Sequence, residues 1–357
     1  MVTTTFFAMP FTVSAAEATE APSGATSGTT GDCTWTLDDN GVLTISGNGR
    51  MKNYMNYEVD MDCYTEWGEN IKSVIIQNNV TTIGDYAFYG CKSLTSVSIS
   101  DSVTSIGYDA FCGCTGLTSI TIPDSVTSIE FAAFEGCTNL TSITFSDSTT
   151  YIGIGAFYNS AWYNNQPDGI VYAGKVVYGY KGEMPADTAI VIQDGVKAIA
   201  NNAFEGCTGL KSITIPDSVN FIGKSVFSGC TDLTSITLPD SLTSIGEFAF
   251  YDTAWYINQP DGMIYAGKVA YEYKGDFPTE TSIVIPNGIK KIANCAFRRC
   301  FLHNVNIIIP DSVTTIGDYA FEGSALESIT IPDSVTSIGM GAFQNCTNLT
   351  SITIPDS

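Results

Sequence analysis

Cysteine and histidine are the side chains of this sequence that could most readily build a nucleophilic or metal-binding site, and it contains eleven cysteines and one histidine. Seven cysteines occupy the same position of a repeated unit: Cys91, Cys114, Cys137, Cys207, Cys230, Cys300 and Cys346. In other units this position holds Ser160, Thr253 or Ser324. A position that takes only small, weakly polar side chains is typical of an interior ladder, so the sequence favours buried, reduced thiols.

Two other arrangements of the cysteines remain open as alternatives. Neighbouring units of a stacked repeat lie about 5 Å apart, a separation that suits a disulfide, and a metal site is the other option. Stacked side chains point in the same direction, however, so their Cβ atoms do not face one another, and no C-x-x-C spacing typical of zinc sites occurs. A bridge between Cys33 and Cys63 is a separate alternative near the N-terminus.

Catalytic groups are sparse in this sequence. A Ser-His-Asp or Cys-His arrangement would depend entirely on His303, which lies in the irregular stretch CFLHNVNIII and is interpreted as a solvated loop residue. Aspartates of a recurring Pro-Asp-Ser turn, such as Asp124 and Asp217, could line one edge and hold Ca²⁺, but their role in the turn explains them. The sequence therefore predicts a protein that is not an enzyme and has no metal or cofactor.

Aromatic residues in two related segments, 162–185 and 255–278, are the candidates for ligand contacts. The two segments are identical at 17 of 24 positions, and each is predicted to form a hairpin-like insertion. Trp and Tyr are residue types that stack on sugars or anchor protein partners. The candidates are Trp162, Tyr163, Tyr172, Tyr178, Trp255, Tyr256, Tyr265 and Tyr271. The alternative, which the sequence favours, is that these aromatic side chains pack beneath their own hairpins.

A phenylalanine that recurs along the chain predicts the structural elements that position these residues. The residues are Phe88, Phe111, Phe134, Phe157, Phe204, Phe227, Phe250, Phe297, Phe321 and Phe343. Their successive spacings are 23, 23, 23, 47, 23, 23, 47, 24 and 22 residues, and each spacing of 47 contains one of the two insertions. A period of this length predicts a solenoid in which each unit buries its apolar edge only against its neighbours.

One unit indicates the architecture. The pattern Leu140-x-x-Ile143-x-Phe145 has the form of a leucine-rich-repeat strand, with Ser142 and Thr144 on its outer face. A Pro-Asp-Ser turn follows such a strand, and the recurring Ala-Phe pair fills the core from a short helical turn. The glycine of the Ile-Gly pair, as in Gly107, is interpreted as a turn residue. The predicted fold is a leucine-rich-repeat right-handed superhelix with a parallel β-sheet, short helical or 3₁₀ turns on the other side and a small β cap at the N-terminus.

The repeated unit resembles that of the BspA-like leucine-rich repeat family of bacterial surface proteins. The residues that carry the resemblance follow the pattern LTSITIPDSVTSIGxxAFxGCTxL, as in Leu117 to Ile129 and Leu210 to Leu233. The segment from Gly31 to Tyr54 is similar to the N-terminal segment of such proteins. The resemblance implies a place at the cell surface and adhesion to molecules of a host or of neighbouring cells, an inference by analogy.

Four regions are predicted along the chain. Residues 1–16 are interpreted as the remnant of a secretory signal peptide, because a short apolar run ends in small residues. Residues 17–30 are predicted to be a disordered linker, residues 31–75 an N-terminal β-hairpin cap, and residues 76–357 the solenoid with its two insertions. The sequence ends four residues into a new unit and is interpreted as truncated in mid-repeat.

The charge and hydropathy of the chain restrict its partners. A net charge of −22 disfavours nucleic acid and anionic membrane surfaces, and no apolar run approaches the roughly 20 residues that a membrane-spanning helix needs. The predicted function is a non-catalytic secreted or cell-surface binding module, whose extended surface serves protein–protein interaction or adhesion to an extracellular protein or glycan. The alternative is a carbohydrate-binding module that uses the aromatic insertions.

Overall fold

The computed structural model of the chain describes residues 26–54, 65–68, 70–276, 282–298 and 306–354. These residues form a solenoid, and each coil of about 23 residues, here called a rung, contributes two short strands. Each strand pairs in parallel with strands of adjoining rungs, as Ser142–Thr144 does with Ser119–Thr121. The predicted repeat solenoid with a parallel sheet is therefore confirmed. A second column of strands was not predicted.

The strands fall into an N-terminal group and two columns. The N-terminal group comprises β1 (Ser27–Thr30), β2 (Cys33–Leu37) and β3 (Val42–Gly47). The first column comprises β5 (Ser73–Ile76), β7 (Ser96–Ser98), β9 (Ser119–Thr121), β11 (Ser142–Thr144), β15 (Thr188–Val191), β17 (Leu210–Thr214), β19 (Ser235–Thr237), β23 (Ser282–Val284), β25 (Asn306–Ile308), β27 (Ser328–Thr330) and β29 (Ser351–Thr353). The second column comprises β4 (Gly49–Arg50), β6 (Val80–Ile83), β8 (Ser105–Ile106), β10 (Ser128–Ile129), β12 (Tyr151–Ile152), β16 (Ala198–Ile199), β18 (Phe221–Ile222), β20 (Ser244–Ile245), β24 (Lys291–Ile292), β26 (Thr315–Ile316) and β28 (Ser337–Ile338).

Two short helices and two hairpins interrupt this arrangement. The first interruption comprises α1 (Ala161–Asn164), β13 (Gly169–Ala173) and β14 (Val176–Lys181). The second comprises α2 (Ala254–Ile257), β21 (Gly262–Ala266) and β22 (Val269–Lys274). In each case the two strands pair antiparallel, and the later strand, β14 or β22, then pairs in parallel with β16 or β24. Each hairpin therefore supplies one strand of the second column.

The N-terminal strands begin the stack. β1, β2 and β3 form an antiparallel sheet, and β3 pairs in parallel with β5 of the solenoid. Ser27–Thr30 are ordered as β1, so the disordered linker predicted for residues 17–30 is wrong at its C-terminal end, because these residues find hydrogen-bond partners in β2. Residues 1–25, which include the predicted signal-peptide remnant, lie outside the described residues.

The core of each rung is built on its phenylalanine. The Phe88, Phe111 and Phe134 rings stack face to face, with centroids 5.0 Å and 5.1 Å apart. Trp67 stacks on Phe88 at 5.7 Å and so covers the first ring of the column. All three phenylalanines are fully buried. Because each ring contacts the next, removing one exposes its neighbours in both directions.

The segment that carries each phenylalanine is a series of hydrogen-bonded turns that contains two left-handed residues. One stands two positions before the phenylalanine, as at Asp109 and Ala132, where φ is 51° and 52°, and the other stands two positions after it, as at Gly113 and Gly136, where φ is 71° and 67°. These residues let the chain change direction, and backbone hydrogen bonds link the rungs. The Phe88 N–H, for example, donates to the Ala110 carbonyl at 2.7 Å.

The glycine of the Ile-Gly pair has a further role beside the one predicted. Gly107 and Gly223 do not adopt the left-handed conformation that a turn glycine uses. A Cβ atom at Gly107 would lie only 2.7 Å from the Asp85 backbone nitrogen, and one at Gly223 would lie 2.6 Å from that of Asn201. Gly107 does begin a turn, since its carbonyl accepts a hydrogen bond from the Ala110 N–H at 3.3 Å. The need for glycine at both positions, however, comes from the close approach of the preceding rung, which excludes a side chain.

The cysteine position forms a ladder between rungs. The Cys114 thiol donates to the Phe88 carbonyl at 3.1 Å, and the Cys137 thiol does the same to Phe111. Both cysteines are free and fully buried, and burial raises the pKa of the Cys137 thiol to about 12. Cys91 and Cys230 are likewise buried and form no disulfide, whereas Cys207 and Cys346 form no disulfide but are only half-buried. Cys300 and Cys63 lie outside the described residues.

Candidate functional site

The first hairpin explains why serine replaces cysteine at one rung of the ladder. Ser160 is the N-cap of α1: its hydroxyl accepts a hydrogen bond from the Tyr163 N–H at 3.1 Å and donates to the Phe157 carbonyl at 2.7 Å. A hydroxyl at the N-cap satisfies a backbone donor that the first turn of a helix leaves without a partner. Thr253 makes the same two bonds at α2. The sequence predicted only that this position needs a small polar side chain. Ser160 and Thr253 replace cysteine here because a hydroxyl group is needed to cap the helix that begins at the next residue.

The aromatic side chains of the first hairpin close the end of a phenylalanine column. Trp162 is 9% exposed and lies edge-on to Phe157 at 5.0 Å. The Tyr178 hydroxyl accepts a hydrogen bond from the Phe157 N–H at 3.1 Å. In the preceding rung the equivalent N–H, that of Phe134, donates to the Ala156 carbonyl. The tyrosine hydroxyl thus replaces a backbone acceptor that the interrupted repeat does not supply, and burial raises the Tyr178 pKa.

The second hairpin repeats this arrangement. Trp255 packs on Phe250 with ring centroids 4.8 Å apart, and Tyr271 lies edge-on to the same ring at 5.1 Å. Tyr271 is 3% exposed, and burial raises its pKa despite a hydrogen bond with the Phe250 backbone. Two independent interruptions therefore use the same residue types in the same places, as expected for a structural device.

The remaining hairpin tyrosines are half-buried. Lys181 donates from Nζ to the Asn164 carbonyl at 2.7 Å and lies 5.8 Å from the centre of the Tyr163 ring, so it satisfies the carbonyl end of α1. Lys274 and Tyr256 form the matching pair at α2. Of the eight candidates, Trp162 and Tyr271 are buried, and the half-buried residues are Tyr163, Tyr172, Tyr178, Trp255, Tyr256 and Tyr265. In the first hairpin the structure brings Trp162, Tyr163 and Tyr178 together, whereas Tyr172 packs against a different part of the core. In the second hairpin Trp255 and Tyr271 meet at the Phe250 ring.

The other sequence candidates for chemistry do not assemble into a site in the described chain. His303 lies outside the described residues. The Pro-Asp-Ser turn is closed by its backbone, since the Val126 N–H donates to the Pro123 carbonyl at 3.1 Å while the Asp124 side chain is exposed. Among the described residues, no three His, Cys, Asp or Glu side chains stand in an arrangement that could hold a metal ion.

An exposed groove lined by aromatic, aliphatic and polar side chains, not predicted from the sequence, runs along the turn edge of the first rungs. We call it the edge groove. It has a volume of 530 Å³. Its wall includes Asp85, Tyr86, Tyr108, Phe131, Tyr151 and Ile154, with Asn53 and Asn201 also in its lining. Tyr108, Phe131 and Ile154 stand at the same position of three successive rungs and are 45–47% exposed. Apolar side chains exposed in a row, not singly, mark an interaction surface.

The position that Tyr108, Phe131 and Ile154 share lies three residues before the phenylalanine, and in the other described rungs it is polar except at Met340. The other residues at this position in the described chain are Asp85, Asn201, Lys224, Glu247, Asn294, Asp318 and Met340. An Asp or Asn there links two rungs: the Asp85 carboxylate accepts from the Tyr108 N–H at 2.9 Å, and Asn201 accepts from the Lys224 N–H at 2.8 Å. An alignment of the repeats at this position is the signal that could have revealed the groove.

The edge groove is also acidic. Burial raises the pKa values of Asp85, Asp109 and Glu130, and the charge of Asp85 adds to the increase at the other two. Asp109 accepts a hydrogen bond from Tyr86, and Glu130 lines an adjoining depression of 470 Å³ that shares Asp85 and Tyr108 with the groove. No salt bridge between described residues involves any of these three carboxylates. Their negative charges are therefore not neutralised by a protein cation.

Glu247, a carboxylate further along the solenoid, differs from those of the edge groove because it has cationic partners. It lies 3.4 Å from Lys224 and 3.6 Å from Arg298, and it accepts a hydrogen bond from the Cys295 thiol at 2.6 Å. Although burial favours its neutral form, the hydrogen bond from Cys295 and the charge of Lys224 hold the pKa of Glu247 below its usual value. The acid at this rung is thus paired.

Comparisons with known proteins agree with the repeat. Residues 58–166, 186–276 and 270–357 match the family described as BspA type leucine rich repeat region, with six copies. The chain is 26% identical to a leucine-rich repeat protein from Eubacterium ventriosum, with a TM-score of 0.33 over 92% of this chain and 72% of that one. It is 25% identical to a leucine rich cell surface protein from Faecalibacterium prausnitzii, with a TM-score of 0.28 over 94% and 96% of the two chains.

No curated protein matches the chain. Within the described residues, no helix is long and apolar enough to cross a lipid bilayer. The family match covers well over half of the sequence. The stacked phenylalanines that begin at Phe88, together with the parallel strands, show the same repeat in the structure. The chain belongs to the BspA-type leucine-rich repeat family.

Proposed function

We propose that this protein is a non-catalytic, secreted or cell-surface binding module that recognises a protein partner through the edge groove. The observation that carries the proposal is the exposed row of Tyr108, Phe131 and Ile154. In this row the solenoid presents apolar side chains at a position that is polar in most of its other rungs. Aromatic anchors supply most of the energy in protein interfaces, and extended solenoid surfaces are used for binding.

Two further observations support a binding role over a catalytic one. The buried thiols have raised pKa values and act as donors in the ladder, so they are poor nucleophiles at neutral pH. The acidic groups of the edge groove lie beside no histidine or metal-ligand cluster in the described chain. A place outside the cell is supported by the family and by its relative described as a cell surface protein.

A carbohydrate-binding module is the second candidate. It is supported by the half-buried tyrosines of the hairpins, Tyr163 and Tyr172 in the first and Tyr256 and Tyr265 in the second. The support is weaker, because the tryptophans that would form the largest sugar platforms lie against the phenylalanine column.

Binding screens on an array of extracellular proteins and on a glycan array separate the two candidates. The Phe131→Ala variant is compared with the wild type and with Tyr256→Ala on both arrays. We expect protein binding that Phe131→Ala abolishes and Tyr256→Ala preserves. Glycan binding that is lost only in Tyr256→Ala would support the second candidate. Binding that neither substitution affects, or no binding on either array, would overturn the proposal that the groove is the binding site.

A further inference from the structure

The edge groove has the length and shape of a site for an extended chain. It runs from the rung of Tyr86 to the rung of Ile154, which spans three rung-to-rung steps. Strands in a sheet lie about 4.8 Å apart, so the groove is about 15 Å long. An extended peptide advances about 3.3 Å per residue, so the groove accommodates about four to five residues.

The chemistry of the groove selects cationic side chains. Three aromatic rings, those of Tyr86, Tyr108 and Phe131, stand along the row, and the Asp85 and Glu130 carboxylates lie beside them. A Lys or Arg side chain can lie over an aromatic ring and pair with a carboxylate at the same time. The chain already uses the first of these contacts, with Lys181 over Tyr163.

The unpaired carboxylates favour a basic partner over a neutral glycan. Burial raises the pKa values of Asp109 and Glu130, the negative charge of Asp85 raises both further, and no described cation forms a salt bridge with any of the three carboxylates. A bound cation would remove this repulsion, whereas a neutral sugar would leave it and would desolvate the charges further. Arg50, which lines the adjoining depression but forms no salt bridge with Asp85 or Glu130, is the one basic residue among the residues that line the edge groove and this depression.

We infer that the edge groove binds an extended basic segment of a protein partner, with Arg or Lys side chains over Tyr108 and Phe131 and paired with Asp85 and Glu130. This inference rests on the proposed function and adds the chemistry of the partner. Electrostatic attraction by a chain of net charge −22 would bring such a segment to the surface, and the groove would hold it in place.

Calorimetric titration of the full chain with a hexa-arginine peptide tests the inference. The Asp85→Asn/Glu130→Gln double variant removes two charges from the groove. At Asp85 an asparagine keeps the acceptor for the Tyr108 N–H, as Asn201 does for Lys224 in another rung. The control is Asp124→Asn/Asp147→Asn, which removes the same charge from exposed turns. We expect the groove variant and Phe131→Ala to weaken binding at least tenfold and the control to weaken it less than twofold.

Equal weakening in the two double variants would mean nonspecific attraction and would overturn the inference. Absence of hexa-arginine binding by the wild type would also overturn it. A neutral oligosaccharide that binds the wild type and is lost in Phe131→Ala would identify a sugar site instead. If the protein array finds an acidic or neutral protein whose binding needs Phe131, the proposed function stands and the inference of a basic partner falls.

Discussion

The rungs on either side of the first hairpin share a backbone and a core but differ at one surface position. The phenylalanine rings stack at 5.1 Å and 5.7 Å in the first section, residues 105–157, and at 5.7 Å and 5.8 Å in the second section, residues 198–250. Three residues before the phenylalanine, the first section exposes an aromatic and aliphatic row and the second carries Asn201, Lys224 and Glu247. The fold therefore constrains the phenylalanine and leaves the exposed position available for function.

The largest expected effect tests whether the two cores are equivalent. Phe134→Ala in the first section and Phe227→Ala in the second should each lower the free energy of unfolding by about 3–5 kcal/mol, because both rings are fully buried between two others. The loss should stay local to the neighbouring rungs. Chemical denaturation with hydrogen exchange measures both quantities. A loss in one section several times that in the other would contradict the equivalence.

The hairpins that bound the second section provide the next test. Tyr178→Phe should cost about 1–3 kcal/mol, because it leaves the Phe157 N–H without its acceptor. Tyr271→Phe should behave alike at the second hairpin. The control is Tyr163→Phe, whose half-buried ring lies beside Lys181 and which should change the stability by less than about 0.5 kcal/mol. If Tyr178→Phe lowers the free energy of unfolding as little as the control does, the Tyr178 hydroxyl does not replace the backbone carbonyl that accepts this hydrogen bond in other rungs.

The buried thiols should make both sections sensitive to alkaline pH. The folded pKa of Cys137 is raised from 9.0 to about 12, so the thiol stays neutral in the folded chain while the unfolded chain ionises. The stability is full below about pH 9 and falls as the pH rises towards 12, by about 1.4 kcal/mol per pH unit for this thiol. Cys137→Ala and Cys230→Ala should each reduce this slope in denaturation measured from pH 8 to 10. Slopes identical to the wild type, or rapid thiol labelling at neutral pH, would contradict the buried ladder.

The smallest expected effect concerns the outer face of the first strand column. Thr121 in the first section and Ser235 in the second are both exposed. Thr121→Ala and Ser235→Ala should therefore leave the free energy of unfolding within about 0.5 kcal/mol of the wild type. Losses comparable to those of the phenylalanine variants would reverse the assignment of inner and outer faces in both sections.

Much of the fold could be predicted from the sequence because burial imposes a repeat. Phe88 and its counterparts must stack, so their spacing is regular, and this spacing is sufficient to predict a solenoid. The second strand column was missed because strands such as Ser128–Ile129 contain only two residues, too few to show an alternating pattern. The close approach at Gly107 was missed because a glycine needed for close approach looks the same in sequence as a glycine needed only for a turn.

The functional surface was harder to predict, for a physical reason. Trp and Tyr in the hairpins are the residue types that bind ligands, but the same apolar area makes them suitable plugs for an interrupted core, as Trp162 demonstrates. Tyr108 and Phe131 differ from core aromatics only in their place within the rung, which the sequence displays only when the repeats are aligned on their phenylalanines. The type of a residue is therefore enough to predict that it lies in the core, whereas an exposed binding residue is recognised only by its position within the rung.

The central claim is that the row of Tyr108, Phe131 and Ile154 is not needed for the fold. The direct test gives the first section the side chains of the second, in the triple variant Tyr108→Asn/Phe131→Lys/Ile154→Glu, and measures its free energy of unfolding by chemical denaturation. We expect a value within about 1 kcal/mol of the wild type, since the substituted positions are exposed and the same side chains already occupy the equivalent rungs. A loss as large as that of Phe134→Ala would show that the row supports the core and would contradict the account.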